Sequence, residues 1–430
     1  MYRFAIEKLK EWKRRENKKP LILYGARQVG KTWLMKEFGK ECFSDTVYLN
    51  FDISPQYGNI FGKDIDPDRI IRDLEIRFNK TIGKDTLVIF DEIQEVPRAL
   101  TSLKYFNELR PDINIVCAGS LLGMALHPDT SFPVGKVNSL SIYPMNFSEF
   151  LIATGREKLA ETIETYDWQL ITDIKDLYIQ ALKEYYFIGG MPEAVNSYTE
   201  DGNFENVRNI HKEILINYDR DFSKHTGDTC ERVREVWRTI PAELAKEHKK
   251  FVYGLIREGA RAKEYETAIN WLEDCGLVYK ISNITVPKIP MNAYKDFKAF
   301  KLYLSDIGLL GCMSGAEALD IIENDRLLTE FKGALTEQYV CQELKSAGYD
   351  FTYYHNNSYE IDFTVRTDKG IVPVEVKANI NLQAKSLKIY RAKYEPEKAV
   401  RTSLADYKVT DNLYDIPLYA ICKLREILNS

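Results

Sequence analysis

The chain has 430 residues, 45% of them hydrophobic, which suits a globular protein of two or three domains and excludes a mainly disordered one. Its 59 Lys and Arg against 64 Asp and Glu leave a formal charge of −5, so any nucleic-acid contact must rest on a local basic face. Seven scattered cysteines without a CxxC pair argue against a zinc ribbon or disulfide framework, and the five histidines show no metal-ligand spacing.

Residues 1–18 read as an amphipathic helix with Phe4, Leu9 and Trp12 on its apolar side. Charges interrupt this segment, so no signal peptide is expected. No apolar run is long enough to span a bilayer, so no membrane partner is expected and the cytoplasm is the default compartment. PLILY then reads as a strand, GARQVGKT as a loop and WLMKEFGKE as a helix. TVYLNFD, DTLVIFDE and INIVCAGS follow as buried strands, with helical stretches such as PDRIIRDLEIRFNK and ALTSLKYFNELR between them. Alternating strands and helices predict a parallel sheet covered on both faces. After Pro144 the pattern turns helical, stops at Gly189-Gly190, and continues to about Asp274. RVREVWRTIPAELAKEHKK, FVYGLIREG and RAKEYETAINWLEDCGLVYKI read as three helices and a strand, the helix-to-hairpin transition of a winged helix. Arg257, Arg261 and Lys263 lie near the candidate recognition helix, but Glu258, Glu264 and Glu266 are interleaved with them, a poor phosphate footprint. From Phe331 the order is helix, strands FTYYH, YEIDFTVR and GIVPVEVK, helix LQAKSLKIYRAKY, then strands KAVRTS and IPLYAIC.

Gly25–Thr32 fits G-x-x-x-x-G-K-[ST] at every fixed position, between a strand and a helix. Gly25 and Gly30 let backbone amides turn inward as a phosphate cradle. Ala26, Arg27, Gln28 and Val29 complete the loop, Lys31 reaches the β- and γ-phosphates, and Trp33 continues into the helix whose positive end faces the phosphates. Thr32 offers a hydroxyl to Mg²⁺. In TLVIFDEIQ, Asp91 and Glu92 stand at the carboxyl end of a strand, where a parallel sheet places its ligands. Asp91 is expected to hold Mg²⁺ and Glu92 to polarise the attacking water. Ser120, ending the next strand, either senses the γ-phosphate or caps the following helix. Arg27, Arg98 and Arg110 are candidate arginine fingers, each read more simply as a surface charge.

Near the C-terminus, Asp362 lies on one strand and Glu375 and Lys377 on the next. Glu375 and Lys377, two apart, share a strand face, with Val374 and Val376 on the core side. Two carboxylates with Glu337 from the preceding helix form a candidate Mg²⁺ set, and Lys377 could activate water or neutralise a phosphate. Lys385, Lys388, Arg391 and Lys393 supply a basic helix face. The plain alternative is a half-exposed strand with an ordinary ion pair.

GARQVGKT, FDEIQEVP, CAGSLLG, SFPVGKV, YPMNFSEFL and FIGGMPEAV together resemble the prokaryotic AAA-type ATPases that carry a C-terminal domain of unknown function. The C-terminal order of helix Glu, strand Asp, hairpin, strand E-x-K and helix resembles the PD-(D/E)xK nuclease superfamily, although Ile361 stands where that motif has Pro. These resemblances imply an α/β P-loop ATPase domain with a small helical lid over 1–200, a helical winged-helix region over 201–316, and a nuclease-like α/β domain over 317–430. ATP and Mg²⁺ are the implied cofactors, and DNA or RNA the implied macromolecular partner. ATP turnover is expected to rearrange the nuclease-like domain. In the alternative, that domain is catalytically inactive and the chain is an ATP-gated interaction module. The sequence leaves the oligomeric state open.

Overall fold

A computed structural model describes residues 2–119, 133–225, 229–246, 249–323, 329–356, 358–380 and 383–429. The chain divides into two compact units. One holds Tyr2–Tyr143 and Asp274–Leu277; the other holds Pro144–Glu273 and Val278–Ser430.

In the first unit, the described strands are β1 (Leu21–Tyr24), β2 (Asp45–Asn50), β3 (Thr86–Asp91), β4 (Asn114–Ala118) and β5 (Asn138–Ser141). They form an all-parallel sheet in the order β2-β3-β4-β1-β5. The side chains explain the parallel pairing, because both faces are covered. Ile22, Val88, Phe90, Ile115 and Cys117 bury one face against Ile70, Leu74, Leu103 and Phe106 of helices Pro67–Phe78 and Pro97–Leu109. The alternate residues Leu23, Leu87, Ile89 and Val116 are equally buried. The first helix is shorter than residues 1–18, running Ala5–Arg14; it buries Ile6, Leu9 and Trp12, and Trp12 meets Phe38 edge-on.

In the second unit, the described strands are β6 (Val278–Ile284), β7 (Lys295–Leu304), β8 (Phe351–Asn356), β9 (Tyr359–Thr367), β10 (Gly370–Val376), β11 (Ala399–Ser403), β12 (Lys408–Thr410) and β13 (Leu413–Pro417). They make one mixed sheet in the order β12-β13-β11-β10-β9-β8-β6-β7. β8, β9 and β10 are an antiparallel meander, and β10 pairs β11 in parallel across helix Lys385–Tyr394.

Several expectations need correction. FVYGLIREG is no helix: only Tyr253–Leu255 forms a 3-10 turn, because Gly254 and Gly259 break the run and Gly259 takes φ 79°. IPLYAIC is mostly not a strand: β13 ends at Pro417, and Leu418–Lys423 follow as a 3-10 helix. The expected boundary at 316/317 cuts through one sheet, since β6 pairs β8 at Asn283↔Tyr353 and Ile284↔Tyr354. The segment expected as an ATPase lid falls in the second unit instead. Its helices Phe147–Ala153 and Lys175–Ile188 hydrogen-bond helix Thr329–Ser346: Phe147 N donates to Glu343 Oε1 at 2.9 Å, and Gln342 Nε2 donates to the Tyr185 hydroxyl at 2.7 Å.

Glu343 makes stability pH-dependent. It is fully buried, its Oε2 has no hydrogen-bond partner among the described residues, and burial pushes its pKa up to about 8, with Glu149 adding to the rise. A carboxyl whose folded pKa is raised stabilises most below its unfolded value and loses that contribution as pH rises through the folded one. Melting temperature is expected to fall between about pH 5 and pH 9. Glu343→Gln keeps an acceptor for Phe147 N, and should flatten the profile by several degrees in thermal melts at the two ends of the range.

Candidate functional sites

The phosphate loop leaves β1 at Gly25, where φ is 147° and a Cβ would stand 2.1 Å from the Ile142 carbonyl oxygen. Only glycine fits there. Gln28 and Gly30 also take positive φ, 66° and 89°, and Gly30 opens helix Lys31–Cys42. Lys31 folds back over the loop, donating from Nζ to the carbonyls of Gly25 at 2.9 Å and Ala26 at 2.8 Å. Burial lowers its pKa to about 8, against the pull of Glu92 and Asp91. A phosphate accepting from the same Nζ would restore the charge. Within the loop Ala26 and Val29 are buried and Arg27 is half-buried, and Trp33 is on the exposed side of the helix.

Asp91 ends β3 almost fully buried. Its Oδ2 accepts from Thr32 Oγ1 at 2.7 Å and from the Tyr48 hydroxyl at 2.8 Å, while Asn50 Nδ2 donates to Tyr48 at 3.2 Å. Glu92 takes a left-handed φ of 52° and accepts from Gln94 Nε2 at 2.6 Å. The hydroxyl and the carboxylate are hard oxygen donors side by side at the loop's end, which fits Mg²⁺. Tyr48 and Gln94 were missed in the sequence. β4 ends at Ala118, and Ser120 lies outside the described residues. Arg110 is engaged by Asp68 at 2.6 Å and Asp112 at 3.0 Å, Lys136 pairs with Glu108 at 2.8 Å, and Arg98 is exposed. The turn Asp274–Leu277 belongs to this unit, and a Cβ on Gly276 would come 3.1 Å from Ala26 N.

In the second unit, Asp362 on β9 and Glu375 on β10 adjoin Glu337 of helix Thr329–Ser346. Asp362 Oδ2 accepts from Val376 N at 2.8 Å, and Glu375 Oε1 from Lys377 Nζ at 2.8 Å. Val374 and Val376 are buried. Burial raises the pKa of Asp362 well above the carboxylate range, and nearby Glu337 and Glu375 raise it further. Burial also raises Glu375. For Lys377 burial opposes the charge, but Glu375 beside it leaves the pKa raised. Two lysines absent from the expected site complete the group. Lys249 Nζ pairs with Glu337 Oε1, and Lys301 Nζ of β7 lies 2.5 Å from Glu360 Oε1 and 3.7 Å from Glu337 Oε2. Each of the three expected metal carboxylates, Glu337, Asp362 and Glu375, thus has at least one oxygen facing a lysine or a backbone amide. Among the described residues no three acidic, His or Cys side chains group as a metal site. Arg257, beside the candidate recognition helix, pairs with Glu264 at 3.1 Å. On helix Lys385–Tyr394, Lys385, Lys388 and Lys393 are exposed. No described helix is long and apolar enough to cross a membrane.

Residues 17–151 match the family model of an AAA domain. Residues 179–320 and 332–421 match two models described as domains of unknown function, DUF8612 and DUF4143. With the parallel sheet and the loop, the first match defines an AAA-type P-loop ATPase domain. No curated protein matches the chain. Among solved structures it is similar to a Walker-type ATPase of Pyrococcus abyssi, at 15% identity over 72% of this chain and 94% of that one, TM-score 0.44. It is also similar to Cdc6p of Pyrobaculum aerophilum, at 15% identity over 78% and 94%, TM-score 0.28. The Aeropyrum pernix ORC1 protein, solved in complex with DNA, matches at 14% over 72% and 90%, TM-score 0.24.

Proposed function

We propose that the protein binds and hydrolyses ATP with Mg²⁺ at the phosphate loop, and that a nuclease-like C-terminal fold acting on or near DNA or RNA is its output. One observation carries the ATPase reading: Thr32 and Asp91 meet at 2.7 Å directly beside the buried Lys31. The amides from Gly25 to Thr32 would cradle the phosphates, and Lys31 would exchange its two carbonyl partners for β- and γ-phosphate oxygens. Thr32 and Asp91 would hold Mg²⁺, which supplies charge neutralisation on the phosphates when bound. Glu92, held by Gln94, would orient the attacking water. The test is Mg²⁺-dependent ATP hydrolysis by the full chain and weakened ATP binding in Lys31→Ala. No hydrolysis, with ATP affinity unchanged in that variant, would sink the assignment.

A second reading makes the C-terminal fold a recognition module that does not cut. The ion pairs of Lys249 and Lys301 at the acidic cluster favour it. Incubating the full chain with DNA and RNA in Mg²⁺ or Mn²⁺ separates the two readings.

A further inference from the structure

We propose that the Lys301 ammonium, with Lys249 beside it, holds the place of a divalent cation in the C-terminal acidic cluster, so that this fold works without metal. The inference rests on the nuclease-like reading of the second unit and is independent of the ATPase reading.

The geometry is specific. Lys301 is completely buried on β7, a strand outside the E-x-K stretch. Its ammonium lies between Glu360, at 2.5 Å, and Glu337, at 3.7 Å, and 4.9 Å from the centre of the Tyr353 ring. Both oxygens of Glu337 are engaged. Oε1 takes Lys249, and Oε2 accepts from the Tyr303 hydroxyl at 3.2 Å while facing Lys301. On the strands, Asp362 is taken by Val376 N and one oxygen of Glu375 by Lys377. Mg²⁺ needs near-octahedral oxygen at about 2.0–2.1 Å and sheds water reluctantly. Here Glu337, Glu360 and one oxygen of Glu375 face lysines carried on the chain, and one oxygen of Asp362 a backbone amide. An unpaired charge in so buried a place is strongly destabilising, so a cation or a proton must offset each carboxylate. A lysine reaching in from β7 supplies the cation at every metal concentration. Glu375 Oε2 is buried and has no hydrogen-bond partner among the described residues. It marks where an ion would attach if Lys301 were gone.

The test uses nucleotide-free full-length protein and Mn²⁺ alone, with bound Mn²⁺ read by electron paramagnetic resonance. Wild type is expected to bind no stoichiometric Mn²⁺ and to melt at the same temperature with and without it. Lys301→Met is expected to gain one site, tightening Mn²⁺ binding by at least about 10-fold. Adding Asp362→Asn should remove the gained site. If Lys301→Met does not fold, Lys249→Met, which frees Glu337 Oε1, carries the same comparison. Wild type binding one Mn²⁺ that Asp362→Asn removes would overturn the inference, and so would a folded lysine variant that gains no site. A wild-type site accompanied by nucleic-acid cleavage would leave the nuclease-like reading standing. A gained site indifferent to Asp362→Asn would remove that reading as well.

Discussion

Glu92→Gln is expected to lower kcat for ATP hydrolysis by about 10²-fold or more while ATP and Mg²⁺ still bind. The separation follows from the geometry around the end of β3. Thr32 and Asp91, the pair fit to hold the ion, make their 2.7 Å contact without Glu92. Lys31 reaches the loop carbonyls of Gly25 and Ala26 instead. Glu92 takes a left-handed backbone and is steadied by Gln94 at 2.6 Å. An amide of the same shape keeps that contact but cannot accept a proton from water. Steady-state turnover against equilibrium nucleotide binding checks this. Loss of binding equal to the loss of turnover would make Glu92 a binding residue; unchanged turnover would remove it from the chemistry. Asp91→Asn should behave differently, raising the Mg²⁺ concentration needed for nucleotide binding.

The phosphate loop is legible in sequence because its parts are contiguous and each residue type has one mechanical reason. Gly25 must approach the Ile142 carbonyl, and a glycine can be read as such. Asp91 and Glu92 are legible as strand-end acids. Tyr48 is not, because its contact depends on β2 lying beside β3 in register Asn50↔Asp91, a choice of neighbour that no local pattern encodes. The same division holds at the C-terminus. Asp362, Glu375 and Lys377 lie on one hairpin, so alternation alone places them together. Lys301 arrives through β6 and β7, joined to that sheet by two residue pairs between β6 and β8, and Lys249 arrives from a separate loop. Both partners are long-range, and both change the chemistry of the site. The middle region misled for a local reason: FVYGLIREG has helical spacing, but two glycines weigh against it.

Asp306→Ala is expected to cost about 3 kcal/mol or more of stability, because it strips two buried backbone donors at once. Asp306 starts helix Ile307–Met313 and is completely buried. Its Oδ1 accepts from Leu309 N at 3.0 Å, capping the helix, and its Oδ2 accepts from Gly190 N at 2.6 Å. The Gly189-Gly190 pair, which reads in sequence only as a helix stop, is shaped around this carboxylate. A Cβ on Gly189 would stand 2.3 Å from Asp306 Oδ1, and one on Gly190 would stand 2.0 Å from the Met145 carbonyl oxygen. Helix Lys175–Ile188, the glycine turn and helix Ile307–Met313 therefore share one buried acid as their joint. Burial pushes its pKa up to about 6 even against the N–H donors, so at pH 7 the bonded carboxylate dominates. Alanine leaves both amides without their acceptor. Asp306→Asn is the informative comparison: its amide oxygen can serve one donor, but its NH₂ must face the other, so an intermediate loss is expected. Denaturant melts of the three proteins at pH 7 give the order wild type, Asp306→Asn, Asp306→Ala. An alanine variant within about 0.5 kcal/mol of wild type would show that water or a shifted backbone satisfies those amides and that the joint is not held by this side chain.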